Sequence, residues 1–155
     1  MRSIKQTAIG LATLLMGLAH AQVSVPIAAF TPYNQPCNVC HFAFPPGRLP
    51  AASWKKLMDA MPQHFTGQVM MNIDTQEEIS TWLQANAGTF ALVAEEPPQH
   101  RITQSVWWTK IHMNNPKLPA AVWKKSSVAK GSSCVTCHQT AAKGAFSAKT
   151  AQVPK

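Results

Sequence analysis

The sequence has few cysteines and few acidic residues, and it has no long apolar run beyond its start. All four cysteines lie in two short motifs, so none remains for a disulfide framework. Only six residues are acidic, against 14 lysines and arginines, so the chain is basic. The lysines are scattered and no arginine cluster is present, which disfavours nucleic acid as a partner. An acidic protein partner fits this charge better.

The apolar run at the start of the chain has the features of a secretory signal. Two basic residues precede a stretch from Thr7 to Leu18, which ends in Ala19-His20-Ala21, a small-x-small cleavage site. We predict a signal peptide over residues 1–21, cleaved after Ala21. The alternative is a membrane anchor, but about a dozen apolar residues are fewer than the roughly 20 that a spanning helix needs. We therefore expect a periplasmic protein without stable membrane insertion.

Each cysteine pair is followed directly by a histidine. The motifs are Cys37-Asn38-Val39-Cys40-His41 and Cys134-Val135-Thr136-Cys137-His138. Two thiols three positions apart lie on one side of a helical turn, where each can add to one vinyl group of a haem, and the next histidine can bind the iron. The motifs predict two covalently bound haem c groups, attached through Cys37, Cys40, Cys134 and Cys137, with His41 and His138 as proximal ligands.

Cysteine pairs at this spacing have two other common uses. One pair can be a thioredoxin-like redox dithiol, and two pairs can form a four-cysteine zinc site. Neither use requires a histidine after each pair. The repeated histidine, the export signal and the lack of other cysteines favour haem over both alternatives.

The chemistry of each haem depends on the second axial ligand of its iron. A closed iron favours electron transfer, whereas an open one permits the binding of oxygen, nitric oxide or peroxide. After the signal peptide and the two motifs, the remaining histidines are His64, His100 and His112. His64 follows the first motif and His112 precedes the second by similar lengths, so we predict them as the distal ligands of the first and second haem. We interpret His100, in a proline-rich segment, as a solvated loop residue.

Methionine is the competing ligand. Five methionines are near enough in sequence, namely Met58, Met61, Met70, Met71 and Met113. A methionine ligand would raise the reduction potential relative to two histidines. We interpret most of these residues as packing, since flexible thioethers fill gaps around large flat groups. Histidine at both irons predicts low reduction potentials.

The hydrophobic pattern predicts an all-α fold of mostly short helices and irregular loops, packed around two c-type haems. The first predicted elements are an extended arm over 22–36 and a helix from Pro50 to about Met61, with Trp54, Leu57, Met58 and Met61 on its apolar face. A helix over 75–87 follows, with an Asp74–Glu77 capping box and a stop at Gly88. The next helix is capped by Thr103 and closed by Asn114-Asn115-Pro116. Short helices around 120–126 and 134–142 and an irregular tail from Gly144 complete the prediction.

Two sequence features bear on domain organisation. The segment 92–101 contains two consecutive prolines and is predicted to link two small haem-binding lobes, residues 22–92 and 93–155. The sequence from Leu49 to Lys56 is echoed from Leu118 to Lys125. Because one copy follows its haem motif and the other precedes it, we interpret the echo as a shared helix-start sequence and not as a duplicated haem module.

Together these motifs resemble the dihaem cytochrome c family of bacteria, small exported proteins that donate electrons to a high-spin haem protein or associate with membrane b-type cytochromes. The resemblance covers almost all of the chain after the signal peptide. It rests on the two haem motifs, Pro45-Pro46-Gly47, Leu49-Pro50 with Trp54, Leu57-Met58 before His64-Phe65, Arg101-Ile102-Thr103 with Trp108 and His112, and Gly144 with Phe146. One departure is Thr66, which separates Phe65 from Gly67.

The resemblance implies a two-lobed, mainly helical fold in which each haem iron is bound by two histidines. By position these pairs are His41 with His64 and His112 with His138. The predicted function is electron transfer between redox protein partners, such as a high-spin haem protein or a membrane b-type cytochrome, without enzymatic activity. The alternative is a haem enzyme or gas-binding sensor, such as a small peroxidase or an oxygen or nitric oxide binder, with one open haem.

Overall fold

A computed structural model describes residues 30–65 and 67–154, apart from the side chains of residues 129–131. The predicted signal peptide and the first part of the predicted arm lie outside these residues. Within the described ranges all regular structure is helical and no strand is present, so the predicted all-α fold is confirmed. No helix in these ranges is long and apolar enough to cross a membrane.

Short helices alternate with 3-10 turns along the described chain. The α-helices are α1 Thr31–Cys37, α2 Ala51–Asp59, α3 Ile73–Ala85, α4 Val106–Trp108 and α5 Cys134–Cys137. A π-helix, Thr109–Met113, continues α4. The 3-10 turns are Pro46–Arg48, Met61–Gln63, Pro98–His100, Ile102–Gln104, Val122–Lys124, Ser126–Gly131 and Ala141–Lys143.

Helix α1 corrects the prediction of an extended arm before the first motif. Pro32 stands in the first turn of α1, where its missing N–H costs no hydrogen bond. The side chain of Tyr33 is buried and its hydroxyl donates to the carbonyl of Phe44, 2.7 Å away. Trp82 of α3 packs on the ring of Tyr33, with centroids 5.4 Å apart. Contacts with distant residues therefore hold this segment helical.

Helix α2 confirms the prediction of a helix that begins after Pro50. Its apolar face buries Trp54 and Met58, and Leu57 is half-buried. The α-helical turns end at Asp59, and the 3-10 turn Met61–Gln63 follows directly. This turn leads the chain into His64, so the end of α2 positions a predicted ligand.

Helix α3 lies where it was predicted, but its cap is a different residue. The side-chain oxygen of Asn72 accepts the backbone N–H of Asp74 at 2.8 Å, so Asn72 is the N-cap and the predicted capping box is wrong. Ile79 and Leu83 are fully buried against α2. The helix ends at Ala85, before the predicted stop at Gly88.

Gly88 has a packing role instead. Its N–H donates to the carbonyl of Leu49 at 2.9 Å. A Cβ added at Gly88 would lie 2.5 Å from both the carbonyl oxygen of Gly47 and Cγ1 of Val93. Only glycine lets the two backbones approach this closely.

The predicted linker, residues 92–101, is packed against α2. Val93 is buried, and Glu96 forms an ion pair with Lys56 at 2.9 Å. The imidazole of His100 contacts Ser53 and Glu96, and its side chain is 27% exposed, so His100 is a partly buried residue that keeps contact with solvent. The division into lobes 22–92 and 93–155 stays a prediction.

The predicted third helix is capped by Ser105 and not by Thr103. The hydroxyl oxygen of Ser105 accepts the backbone N–H of Trp108 at 3.3 Å. After Trp108 the helix widens into the π-helix, whose last bond joins the N–H of Asn114 to the carbonyl of Thr109. The predicted end at Asn114 is confirmed.

The second copy of the sequence echo forms a different structure from the first. Leu49–Lys56 leads into α2, whereas Leu118–Lys125 forms turns and the 3-10 turn Val122–Lys124. Trp54 is buried in the core, while Trp123 is half-buried beside His112. The echo is therefore not a repeated structural module.

One buried cluster joins the two halves of the described chain. It includes Trp54 and Met58 of α2 together with Trp107 and Trp108 of α4. The indole N–H of Trp107 donates to the carbonyl of Arg48 at 3.0 Å, which fixes α4 on the turn before α2. This core thus packs α2, which leads towards His64, against α4, which continues into the π-helix of His112.

Two candidate haem sites

The first site is formed by His41 and His64. His41 follows α1, and His64 follows the 3-10 turn after α2. Their ring centroids are 6.0 Å apart and their planes differ by 27°. The two rings thus face each other across a narrow gap, although they come from different elements.

The second site is formed by His112 and His138. His138 follows α5, and His112 lies on the π-helix. Their ring centroids are 6.3 Å apart and their planes differ by 83°. His112 stacks on Trp108, with centroids 4.9 Å apart and a plane angle of 17°, and Trp123 meets it edge-on.

Both gaps have the size that one metal ion requires. A metal–imidazole bond is about 2 Å long, and each ring centre is a further ~1 Å from its ligating nitrogen, so two rings on opposite sides of one ion have centres about 6 Å apart. The distances of 6.0 Å and 6.3 Å match this value. The residues present therefore fit two haem irons, each between two imidazoles.

Hydrogen bonds determine which nitrogen is available in two of the four rings. Nδ1 of His41 lies 2.7 Å from the carbonyl of Phe42, and Nδ1 of His112 lies 3.1 Å from that of Trp108. A carbonyl only accepts, so each Nδ1 carries the proton and Nε2 is left for a metal. Nδ1 of His64 and of His138 is buried, and neither has a hydrogen-bond partner among the described residues. Each pair thus has one anchored and one unanchored ring.

The environment of three of these histidines favours the neutral ring. Burial lowers the pKa of His64, and the nearby charges of His41 and Arg101 lower it further. Burial also lowers the pKa of His112 and of His138, and Arg48 adds to both effects. A hydrogen bond to the Trp108 carbonyl partly opposes the shift in His112. Neutral imidazole is the form that binds a metal.

Three of the four thiols lack the lowered pKa of a redox dithiol. Burial raises the pKa of Cys37 and of Cys134 to about 11, and it also raises the pKa of Cys137. A thioredoxin-like thiol has a lowered pKa, because the thiolate is its reactive form. Helix α5 spans Cys134–Cys137, which places this pair on one helical turn as the motif predicts.

The arrangement also differs from a four-cysteine zinc site. Such a site would bring both motifs together around one ion. Over residues 30–65 and 67–154, no three histidine, cysteine or acidic side chains converge on a point. Each motif histidine instead faces its own second histidine.

The methionines divide into two groups. Met58 and Met61 are buried in the core and Met71 packs against it, which confirms their interpretation as packing residues. Met70 is 81% exposed and Met113 is 51% exposed, so these two do not pack in the core. The prediction that most of the five methionines are packing residues is confirmed.

A chain of aromatic rings connects the two sites. Phe44 lies 5.2 Å from His41, Phe42 lies 6.0 Å from Phe44, Phe146 lies 6.3 Å from Phe42, and His138 lies 5.5 Å from Phe146, measured between ring centroids. Phe146 comes from the tail that was predicted to be irregular. His41 and His138 are therefore connected through the rings of three phenylalanines.

Two arginines beside the sites were not assigned a role from the sequence. The guanidinium of Arg48 lies over the rings of Trp107 and Phe146, and that of Arg101 lies over Phe65. Phe65 contacts His64 at 4.9 Å. One feature of the sequence could have drawn attention to them. They are the only arginines after residue 21, and all other basic residues in that part are lysines or histidines.

A helical chain with two separate Cys-x-x-Cys-His motifs, each facing a second histidine at the spacing of one iron, defines a dihaem c-type cytochrome. The comparison with known families agrees, since residues 33–146 match dihaem cytochrome c. The chain belongs to the dihaem cytochrome c family and is a haem-based redox protein with two covalently attached haems.

Solved structures of dihaem cytochromes resemble the fold. The dihaem cytochrome c of Shewanella baltica superposes with a TM-score of 0.68 at 25% identity, covering 80% of this chain and 92% of its own. Two structures of the dihaem cytochrome c of Rhodobacter sphaeroides give TM-scores of 0.67 and 0.62 at 27% and 28% identity. They cover 79% and 74% of this chain, and 100% and 95% of their own. None of the curated proteins matches the chain.

Proposed function

We propose that the protein transfers single electrons between redox partners through two low-spin haems, each bound by two histidines. The pairs are His41 with His64 and His112 with His138. The observation that carries this proposal is the ring spacing of 6.0 Å and 6.3 Å, which leaves room for one iron and for no further ligand. A closed iron changes its charge without binding a substrate.

The cysteines hold the haems in place under this proposal. Cys37 and Cys40 attach the first haem, and Cys134 and Cys137 attach the second. Haem iron supplies a one-electron couple, while the protein fixes its orientation and surroundings. Two cysteines and two histidines would restrain each haem, which would keep the structural change on reduction small.

The ring contacts support transfer between the two haems within one molecule. Phe42 and Phe146 meet at 6.3 Å and connect the proximal histidine of each site through neighbouring rings. Short packed steps between the sites suit rapid exchange of an electron. An electron that enters at one haem can then leave by the other.

We infer export to the periplasm from the predicted signal peptide over residues 1–21. The proposed partners are redox proteins, with a high-spin haem protein and a membrane b-type cytochrome as the two classes that the family resemblance implies. The chain would then act as a carrier and not as an enzyme.

The alternative is gas or peroxide binding at the first haem. One feature favours it, because His64 follows a short turn and its Nδ1 is among the unanchored nitrogens. Displacement of His64 would open one coordination position.

Carbon monoxide binding and spin state distinguish the two functions. We expect the oxidised protein to be fully low-spin and the reduced protein not to bind carbon monoxide at neutral pH. A high-spin signal, or rapid carbon monoxide binding by one haem, would contradict the proposal and support the alternative.

A further inference from the structure

The charges of the chain are strongly segregated along the sequence. Residues 102–155, here called the lysine segment, contain eight lysines and no arginine or acidic residue. Residues 22–101 contain two lysines, two arginines and all six acidic residues, which gives a formal charge of −2. The basic balance of the protein therefore comes from the part that carries the second haem motif.

Four lysines of this segment lie on, or next to, elements that carry or contact His112 and His138. Lys110 lies on the π-helix that carries His112, and Lys124 follows Trp123, whose ring meets His112. Lys143 ends the 3-10 turn after His138. Lys149 lies in the tail, where the N–H of Gln152 donates to the carbonyl of Cys137. All four lysines are exposed.

In residues 22–101, both lysines form ion pairs with nearby carboxylates. Lys55 pairs with Asp59 at 2.7 Å, and Lys56 pairs with Glu96 at 2.9 Å. The exposed carboxylates of Asp74, Glu77 and Glu78 lie at the start of α3. An approaching anionic surface therefore meets little net attraction on this side.

We propose that the surface formed by the exposed lysines around the second haem is the docking face for an acidic redox protein. This inference rests on the proposed electron-transfer function and adds where the partner binds. Two propionates on the second haem would offset only part of the positive charge of the lysine segment. The partner thus docks beside the second haem, away from α3.

Charge complementarity of this kind acts mainly on the rate of encounter. Opposite charges raise association rates by 10- to 10³-fold, and salt removes the effect because the Debye length is only about 10 Å at 0.1 M. The docking face can therefore be identified from the rate of reduction by the partner. This rate should fall with ionic strength and should depend on the lysines of that face.

Flavodoxin hydroquinone is a suitable probe, since it is an acidic protein that donates one electron. The electron passes from the flavin hydroquinone anion to a ferric haem, which leaves the neutral flavin semiquinone and a ferrous haem. Stopped-flow absorbance gives the second-order rate constant at several salt concentrations. Free reduced flavin, which has no protein surface, serves as the control donor.

Matched charge reversals identify the face. Lys110→Glu, Lys124→Glu and Lys143→Glu are compared with Lys55→Glu, which changes the net charge equally on α2. We expect each of the first three to slow reduction by flavodoxin about three- to tenfold at low salt. Lys55→Glu should change the rate less than twofold. At high salt all variants should approach the wild-type rate.

The docking proposal is overturned if the flavodoxin rate does not depend on salt, or if Lys55→Glu slows it as much as the other three reversals. Unchanged haem spectra and unchanged reduction by free flavin show that each variant retains its fold and haems. Failure of the electron-transfer proposal would appear separately, as carbon monoxide binding or high-spin haem in the wild type.

Discussion

Arg48 and Phe146, which are nearly 100 positions apart in the chain, are in contact: the guanidinium carbon lies 4.7 Å from the ring centre. The same guanidinium lies 5.2 Å from the ring centre of Trp107. Phe146 contacts His138 and Trp107 contacts His112, so Arg48 stands beside both histidines of the second site. A residue that follows the first haem motif thus brings a positive charge to the second haem.

Replacement of this charge is expected to lower the reduction potential of the second haem. A nearby cation favours the ferrous state, because that state carries one positive charge fewer than the ferric state. For Arg48→Met we expect up to about a tenfold change in the electron equilibrium, or about 59 mV. Spectroelectrochemical titration of both haems measures the shift.

Two variants serve as controls for this prediction. Arg48→Lys keeps the charge and should retain most of the wild-type potential. Arg101→Met removes the cation over Phe65, next to His64, and should lower the potential of the first haem instead. Equal shifts of both haems in either methionine variant would contradict the assignment.

The two haems should differ in their electron paramagnetic resonance spectra. Two iron d orbitals interact with the π systems of the imidazoles. Nearly parallel ring planes give these two orbitals different energies, whereas perpendicular planes leave their energies nearly equal. With plane angles of 27° and 83°, the first ferric haem should give a rhombic low-spin signal and the second a strongly anisotropic one. Two identical signals at low temperature would show that the ring orientations are wrong.

Removal of either distal histidine should open one haem. His64→Ala and His112→Ala should each give one high-spin haem that binds carbon monoxide when reduced, as seen in the visible spectrum. His112→Ala should also lose more thermal stability, since its ring packs against Trp108 and Trp123, and we expect about 1–3 kcal/mol.

His100→Ala is the matched control for the ligand variants. It removes the contacts with Ser53 and Glu96 and should cost about 1 kcal/mol, but both haems should stay low-spin. A high-spin haem in His100→Ala, or none in the other two variants, would refute the ligand pairs.

Gly88→Ala should destabilise the protein. The new methyl group would meet backbone atoms of Gly47 and the side chain of Val93 at 2.5 Å, and we expect a loss of about 1–3 kcal/mol. Gly47→Ala is the control, since a Cβ there meets nothing within 4 Å. Thermal unfolding of the haem-loaded protein compares the two; an equal melting temperature for both variants would count against the close approach at Gly88.

The helices α2 and α3 were predictable because their apolar residues recur at helical spacing and a proline or polar cap precedes each. The capping residues of α3 and α4 were harder to predict. Asn72 and Asp74 are both good capping residues, as are Ser105 and Thr103, and the choice depends on where the chain leaves its extended conformation. Helix α1 was missed because its prolines favoured a loop, while the burial of Tyr33 depends on contacts with Phe44 and Trp82.

The histidine pairs were predictable by elimination, since few histidines remained for two irons. Their plane angles were not, because they depend on neighbouring groups such as the Phe42 carbonyl and the ring of Trp108. Arg48 was not predictable as a neighbour of the second haem. Nothing in the sequence indicates that it packs between two aromatic residues distant in the chain.

The π-helix at Thr109–Met113 has a consequence for how relatives of this protein are compared. A π-turn holds more residues than an α-turn, so the direction of His112 depends on how many residues precede it as well as on which they are. Deletion of one residue between Trp108 and His112 would convert the widened turn into an α-turn, whose hydrogen bond spans one residue fewer. In an alignment, a one-residue gap here would therefore mark a relative that lacks the π-turn, and the residues on either side of the gap should be aligned separately.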